Sequence, residues 1–287
     1  MRIVNGAFKK VLKKGIRFFG YDIIRKNKSD RFREELDNDD ITALKENFRE
    51  LCNSYEYLFS RQMGMIHKDH NRIELMQRLK GTGPAEAYFI IRSLEETKEI
   101  EGDICEFGVA QGETSSLIAN EIRSGRKALH LFDSFEGLPK PTEKDVLKND
   151  IFKLGNIGAY EGTMSCPEDM VIKRLHQIEF PTQRYHIHKG FIENLINGKE
   201  NFPAKVSFAY LDFDFYEPTK IVLNFLNSVM GINSIIIVDD YDSFSTGAKT
   251  AVDEFIKEMN EREIRYKIII PDKVFGCFAI ITSIDAN

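Results

Sequence analysis

Residues 104–112 read Ile104-Cys105-Glu106-Phe107-Gly108-Val109-Ala110-Gln111-Gly112. An apolar run ends in an acid, two glycines follow, and 113–123 has the pattern of a helix. This is a strand, a tight turn and a helix N-terminus, the opening of a nucleotide-binding βα unit. Gly108 and Gly112 carry no Cβ, so the backbone can come close to a ligand. Thr114, Ser115 and Ser116 place hydroxyls in the first helical turn, where free amides favour polar or anionic groups. The spacing is G-x-x-x-G rather than the dinucleotide fingerprint G-x-G-x-x-G, so the remainder of the chain must decide the ligand.

Working outward, the chain alternates strand and helix from residue 103. Apolar runs at 103–107, 128–132, 185–188, 206–213 and 234–238 are separated by helical patterns at 113–124, 167–178, 191–197, 217–229 and 246–260. That alternation predicts an α/β, Rossmann-like parallel sheet with helices on both faces. Two final runs, 266–270 and 275–282, are joined by only four residues. A parallel crossover needs a dozen or more, so the last strand is expected to run antiparallel. The connection 139–166 holds prolines and glycines and is too long for a passive link, so a lid is expected there.

Upstream, residues 1–80 are expected to form a basic, helical extension, and 81–287 the main domain. Asp39-Asp40 is placed to cap a helix reaching about Ser60, and a second helix is expected at 68–79. Pro84, after Gly81-Thr82-Gly83, can begin a third, to about Lys98. Tyr55, Tyr57, His67 and His70 are candidates to reach a substrate, with ordinary packing as the commoner role. Residues 1–30 carry nine Lys/Arg against Asp22 and Asp30, a surplus of +7 that leaves −12 on the remainder of a chain of net charge −5. Phe8, Val11, Leu12, Ile16 and Phe19 fall near helical spacing between those lysines. The segment suits packing on the body or on a second subunit, or else contact with an anionic membrane surface. The acidic body argues against nucleic acid as a partner. With no span of about 18 apolar residues, no signal-peptide pattern and four unpatterned cysteines, a reducing cytoplasm is expected. A homo-oligomer is also expected.

In open parallel sheets ligands bind beyond the carboxyl ends of the strands. There the chain offers Glu106; Asp133 in DSFEGLP (133–139); Lys189-Gly190-Phe191; Asp212 and Asp214 in LDFDFY (211–216); and Asp239-Asp240-Tyr241. An acid after the second strand is placed to accept hydrogen bonds from the ribose hydroxyls of an adenosine-type ligand. Asp212, Asp239 and Asp240 sit on adjacent strand ends, and three carboxylates with water suit a hard cation such as Mg²⁺ or Ca²⁺. The competing role is that some of them cap the following helices.

Taken together, EFGV…G112, DSFEGLP, Lys189-Gly-Phe, LDFDFY and VDDY in this order resemble the macrocin O-methyltransferase family, over about 84–282. These are class I enzymes dependent on S-adenosylmethionine (SAM) that methylate sugar hydroxyls. The resemblance implies the seven-stranded methyltransferase sheet. It implies that Glu106, Gly108 and Gly112 hold the methionine part of SAM and that Asp133 binds its ribose, with Phe107, Thr114, Ser115, Ser134 and Phe135 also among the cofactor-binding residues. Gly190 and Phe191 would lie near the adenine. Asp212, Asp239 and Asp240 would bind Mg²⁺ and carry catalysis, with Asp214 the rival first ligand. The partners implied are SAM and a carbohydrate acceptor, in polysaccharide or glycoside assembly. An NAD(P)-dependent oxidoreductase and a catalytically silent binding protein are the alternatives. His130, His186 and His188 are candidate bases, with sheet packing as the commoner role, and Asp212 is another.

Overall fold

Seven strands form one sheet in the order β3-β2-β1-β4-β5-β7-β6. They are β1 Asp103–Phe107, β2 Leu129–Asp133, β3 Tyr185–Lys189, β4 Val206–Leu211, β5 Met230–Val238, β6 Tyr266–Ile269 and β7 Ala279–Ser283. The computed structural model describes residues 46–55, 57, 70–198, 201–264 and 266–285. The basic segment 1–30, the Asp39-Asp40 cap and His67 lie outside these residues, as does the His70 side chain. The helices are α1 (46–55), α2 His70–Arg78, α3 Pro84–Glu96, α4 Glu113–Ile122, α5 Glu168–Gln177, α6 Ile192–Gly198, α7 Tyr216–Val229 and α8 Gly247–Glu261.

β1 to β5 pair in parallel, and β7 runs antiparallel between β5 and β6. The short connection before β7 forces that reversal. Its strand begins later than the apolar run suggests, at Ala279 rather than residue 275. Lys273–Phe275 instead turns as a 3₁₀ helix, held by the Asp272 side chain accepting from Val274 N, and Gly276 follows at φ +125°. β4 likewise stops at Leu211 rather than 213, because the chain turns away through Asp214 at φ +62°. β5 starts four residues before the expected 234.

Side chains alternate across the central strands, and both faces are buried. Phe107, Phe132, Leu211 and Val238 face α6, α7 and α8, whereas Ile104, Leu131, Tyr210 and Ile237 face α3, α4 and α5. Cys52 and Tyr55 of α1 pack with Met76, Tyr88 and Leu117 in a third cluster. Tyr55 is therefore a packing residue, and Tyr57 is exposed to solvent. No helix of the described residues is long and apolar enough to cross a membrane.

Residues 139–166 have a core of their own. Leu147, Ile151, Phe152, Ile157 and Met164 pack with Tyr160 against Phe215 and Phe244. The segment is tied down by Asp145, which is 2% exposed. Its carboxylate accepts from Thr142 N, from Thr142 Oγ1 and, at 2.7 Å, from Tyr216 N at the start of α7. Asp145→Ala leaves that buried amide without a partner. The expected cost is about 1–3 kcal/mol, concentrated in this segment. Limited proteolysis should cut within 139–166 in the variant well before it cuts the parent.

Candidate functional site

The sheet's hydrogen-bond ladder continues one residue past the strands. Gly108 N donates to Phe132 O (2.9 Å), Asp212 N to Phe107 O (2.8 Å), Asp239 N to Leu211 O (2.8 Å) and Gly190 N to Asp133 O (2.9 Å). This row aligns Gly190, Asp133, Gly108, Asp212 and Asp239 across the carboxyl edge. Immediately beyond it the backbone is strained. Ala110, Phe135, Asp214 and Asp240 all have φ between +45° and +62°. Left-handed backbone at non-glycine residues is rare and clusters at functional sites.

A cavity of about 510 Å³ opens over this edge. Its wall includes Gly108, Gly112, Thr114, Asp133, Ser134, Gly190, Phe191, Asp212, Asp239 and Asp240, all expected from the sequence. Glu106, Phe107, Ser115 and Phe135 do not line it. Phe107 stacks on Phe132 with centroids 4.5 Å apart, in the sheet core. Phe135 packs on the α3–α5 face. Glu106 and Ser115 are fully buried behind the glycine loop, and neither Glu106 oxygen nor Ser115 Oγ makes a full hydrogen bond. Burial pushes the Glu106 carboxyl up to about 8, against the pull of the Ser115 hydroxyl.

Asp133 shapes the loop as well as facing the cavity. Its Oδ2 accepts from Val109 N (2.8 Å) and Ala110 N (2.9 Å), and its Oδ1 from Phe135 N (2.6 Å). These bonds aim the carboxylate. Farther along the edge, carboxylate oxygens of Asp212, Asp214 and Asp240 lie within 4.8 Å of one another. Asp239 is turned partly aside. Its Oδ2 accepts from Tyr210 Oη at 2.7 Å and its Oδ1 from Asp240 N at 2.7 Å. Burial, then the charges of Asp239 and Asp240, push Asp212 well above the usual carboxylate range. Burial and Asp240 do the same to Asp214, and Asp239 is pushed up to about 6. Such shifts mark a cluster of carboxylates lacking a counter-charge.

The charge of the wall tests which ligands fit. Among the described residues seven acids line the cavity against one cation, Lys80, whose Nζ donates to Gln111 Oε1 at 3.0 Å. A wall of that sign favours a cationic ligand, and a sulfonium cofactor together with a divalent ion meets that requirement. First-turn amides of α4, which have no intrahelical partner, and the carboxylate of Asp133 offer partners for a zwitterionic amino-acid end and for a ribose.

Sequence reasoning overlooked several residues. Lys80, Gly81 and Thr82 line the cavity from the loop before α3. The Gly81-Thr82-Gly83-Pro84 break was the available signal. Glu86 lies behind them, 4% exposed. It falls in helical register with Ile90 and Leu94, so a charged residue on the buried face was the clue. Ile151, Phe152, Met164 and Phe244 supply apolar lining beside the acids' polar one. Among the described residues no histidine lines the cavity. His130 Nδ1 and His188 Nε2 are 3.0 Å apart, stacked beside Phe132 on the β2–β3 side of the sheet. Burial, with His130 and His186 nearby, lowers His188 to about 4.

Residues 90–275 match the macrocin-O-methyltransferase (TylF) family. No curated protein matches the chain in sequence. Among solved structures, the chain is similar to the O-methyltransferase NovP, with a TM-score of 0.61 and 17% identity over 83% of this chain and 100% of that one. It is similar to the calicheamicin methyltransferase CalS11, with a TM-score of 0.52 and 19% identity over 86% and 94%. An O-methyltransferase from Bacillus cereus in complex with SAH gives a TM-score of 0.52 and 12% identity over 81% and 97%. At these identities the likeness is one of fold.

Proposed function

This chain belongs to the macrocin O-methyltransferase family and is a SAM-dependent O-methyltransferase, and we propose that it methylates a sugar hydroxyl of a glycan or glycosylated precursor with the help of Mg²⁺. The observation that carries this reading is the convergence of the glycine loop, Asp133 and four rim aspartates on one cavity. When bound, SAM supplies an activated methyl group, and a divalent cation supplies Lewis acidity toward two neighbouring hydroxyls.

The chain's own residues then divide the work. Gly108, Gly112 and Thr114 receive the amino-acid end of the cofactor. Asp133, its direction set by three backbone amides, takes the ribose hydroxyls, and Ser134 lies beside it. Gly190 and Phe191 border the adenine. Asp212 and Asp240 hold the cation, with a third carboxylate from Asp214 or Asp239. Ile151, Phe152, Met164 and Phe244 exclude water and give the acceptor an apolar surface. A rim carboxylate is the group within reach of the acceptor hydroxyl's proton.

Calorimetry is expected to detect SAM binding and none of NAD. Turnover of a glycoside with vicinal hydroxyls is expected to stop on adding EDTA and to return with Mg²⁺. Turnover that ignores EDTA removes the cation from the mechanism. The cation also has a pH signature. Asp239 moves from an ordinary 3.8 up to about 6 in the folded protein. Its contribution to stability is therefore complete below pH 3.8 and is lost as pH rises through 6. A bound cation favours the ionised form and cancels that loss. The Mg²⁺-induced rise in Tm should be small at pH 5 and several degrees larger at pH 7.5. A shift independent of pH contradicts this placement of the ion.

A further inference from the structure

Beneath the rim lies a group of polar side chains that the proposed chemistry does not use. Tyr210 is fully buried on β4, two residues before Asp212 and on the face toward α3. Its hydroxyl donates to Asp239 Oδ2 at 2.7 Å and lies 3.3 Å from both Glu86 Oε1 and Thr82 Oγ1. Thr82 Oγ1 is in turn 3.0 Å from Thr114 Oγ1, in the first turn of α4. A continuous chain thus runs from the helix that faces the cofactor to the carboxylate at the end of β5.

We propose that Glu86 and Tyr210 are positioning residues for the rim: together they hold the Asp239 carboxylate in one orientation and tie it to the cofactor side of the cavity. The inference rests on the cation-binding reading given above. Glu86 is a poor choice for packing alone. It is buried without a basic partner, and burial together with Asp239 and Asp212 opposes its ionisation. Such a group costs stability, and an apolar side chain of similar size would fill the same place at the start of α3. Glu86 Oε1 lies 3.3 Å from the Tyr210 hydroxyl, which in turn donates to Asp239 Oδ2 at 2.7 Å. Asp239 Oδ1 accepts from Asp240 N at 2.7 Å, so its free rotation would release the backbone that carries the Asp240 carboxylate of the cluster. Side chains that orient metal-site carboxylates typically change metal affinity about 10–100-fold when lost.

The test is Mn²⁺ affinity by paramagnetic resonance, in the full-length protein with SAM present, with Tm and SAM affinity measured alongside. Glu86→Leu is expected to raise Tm while weakening Mn²⁺ binding about tenfold. Glu86→Gln keeps the size and offers an N–H to Asp239, and should stay within about threefold of the parent. Tyr210→Phe should weaken Mn²⁺ about tenfold and serves if the leucine variant does not fold. The two losses should not add in the double variant, because both act through Asp239. Unchanged Mn²⁺ affinity in Glu86→Leu and Tyr210→Phe overturns the inference while leaving the cation reading intact. A parent protein that binds no Mn²⁺ overturns both.

Discussion

Asp240→Asn should lower methyl transfer at saturating Mg²⁺ by about 10³-fold or more, roughly 4 kcal/mol of barrier, while SAM affinity changes by less than about threefold. The expectation follows from where the side chain stands. A carboxylate oxygen of Asp240 approaches both Asp212 and Asp214 within 4.8 Å, whereas the row proposed to face the cofactor runs through Gly108, Asp133 and Gly190. The amide keeps the size, but it withdraws one negative charge from the proposed hard-cation site. The substitution also relieves repulsion. Asp240 is among the causes that raise Asp212, Asp214 and Asp239. The metal-free variant should therefore melt at a higher temperature than the metal-free parent at neutral pH. Loss of turnover with a gain in Tm separates a cation ligand from a residue that holds the fold, for which both would fall. Parallel loss of SAM binding would show that Asp240 belongs to the cofactor pocket instead. Asp214→Asn and Asp239→Asn, measured the same way, assign the third carboxylate by which one follows Asp240→Asn.

The sheet was legible because its signals are local. Apolar strand runs, the helical spacing between them and the short link between the last two apolar runs each constrain topology without long-range information. The acids at strand ends were legible for the same reason, since strand geometry alone puts them on one edge. What was hidden depends on side-chain direction and on segments distant in sequence. Phe107 borders the glycine loop and Phe135 lies within DSFEGLP, yet both pack against the core. Asp214 lies two residues beyond Asp212 and joins the cluster only because φ at Asp214 is +62°, a turn that no propensity announces. Glu86 is 153 residues from Asp239 along the chain and meets it only because α3 packs on the same face of β4 that carries Tyr210. The apolar wall that residues 139–166 contribute was hidden because it depends on how that segment packs against Phe215 and Phe244, distant in sequence.

Gly108→Ala should be the most damaging single substitution in the cofactor half of the site. Gly108 sits at φ +87°, and a Cβ there would lie 2.0 Å from the Asp212 carbonyl oxygen and 2.7 Å from its carbonyl carbon. Both neighbours are backbone, so no rotamer change can make room. The loop after β1 and the chain leaving β4 must move apart, which breaks the ladder bond from Asp212 N to Phe107 O. Left-handed strain adds about 1 kcal/mol, and the displacement brings the total to about 2–4 kcal/mol. For a domain of this size that corresponds to roughly 4–16 °C in Tm. SAM affinity should fall about 100-fold or more, because the amides of the loop and the Asp133 carboxylate they orient leave their places together. Gly155→Ala isolates the cause. Gly155 has nearly the same φ, +86°, with nothing within 4 Å of the added carbon. It bears the backbone strain alone and should cost only about 1 kcal/mol, with SAM affinity unchanged. Equal effects at the two glycines would mean that the close approach of β1 and β4 does not shape the pocket. A large difference, read by calorimetry for both folding and SAM binding, places the cofactor site at that crossing.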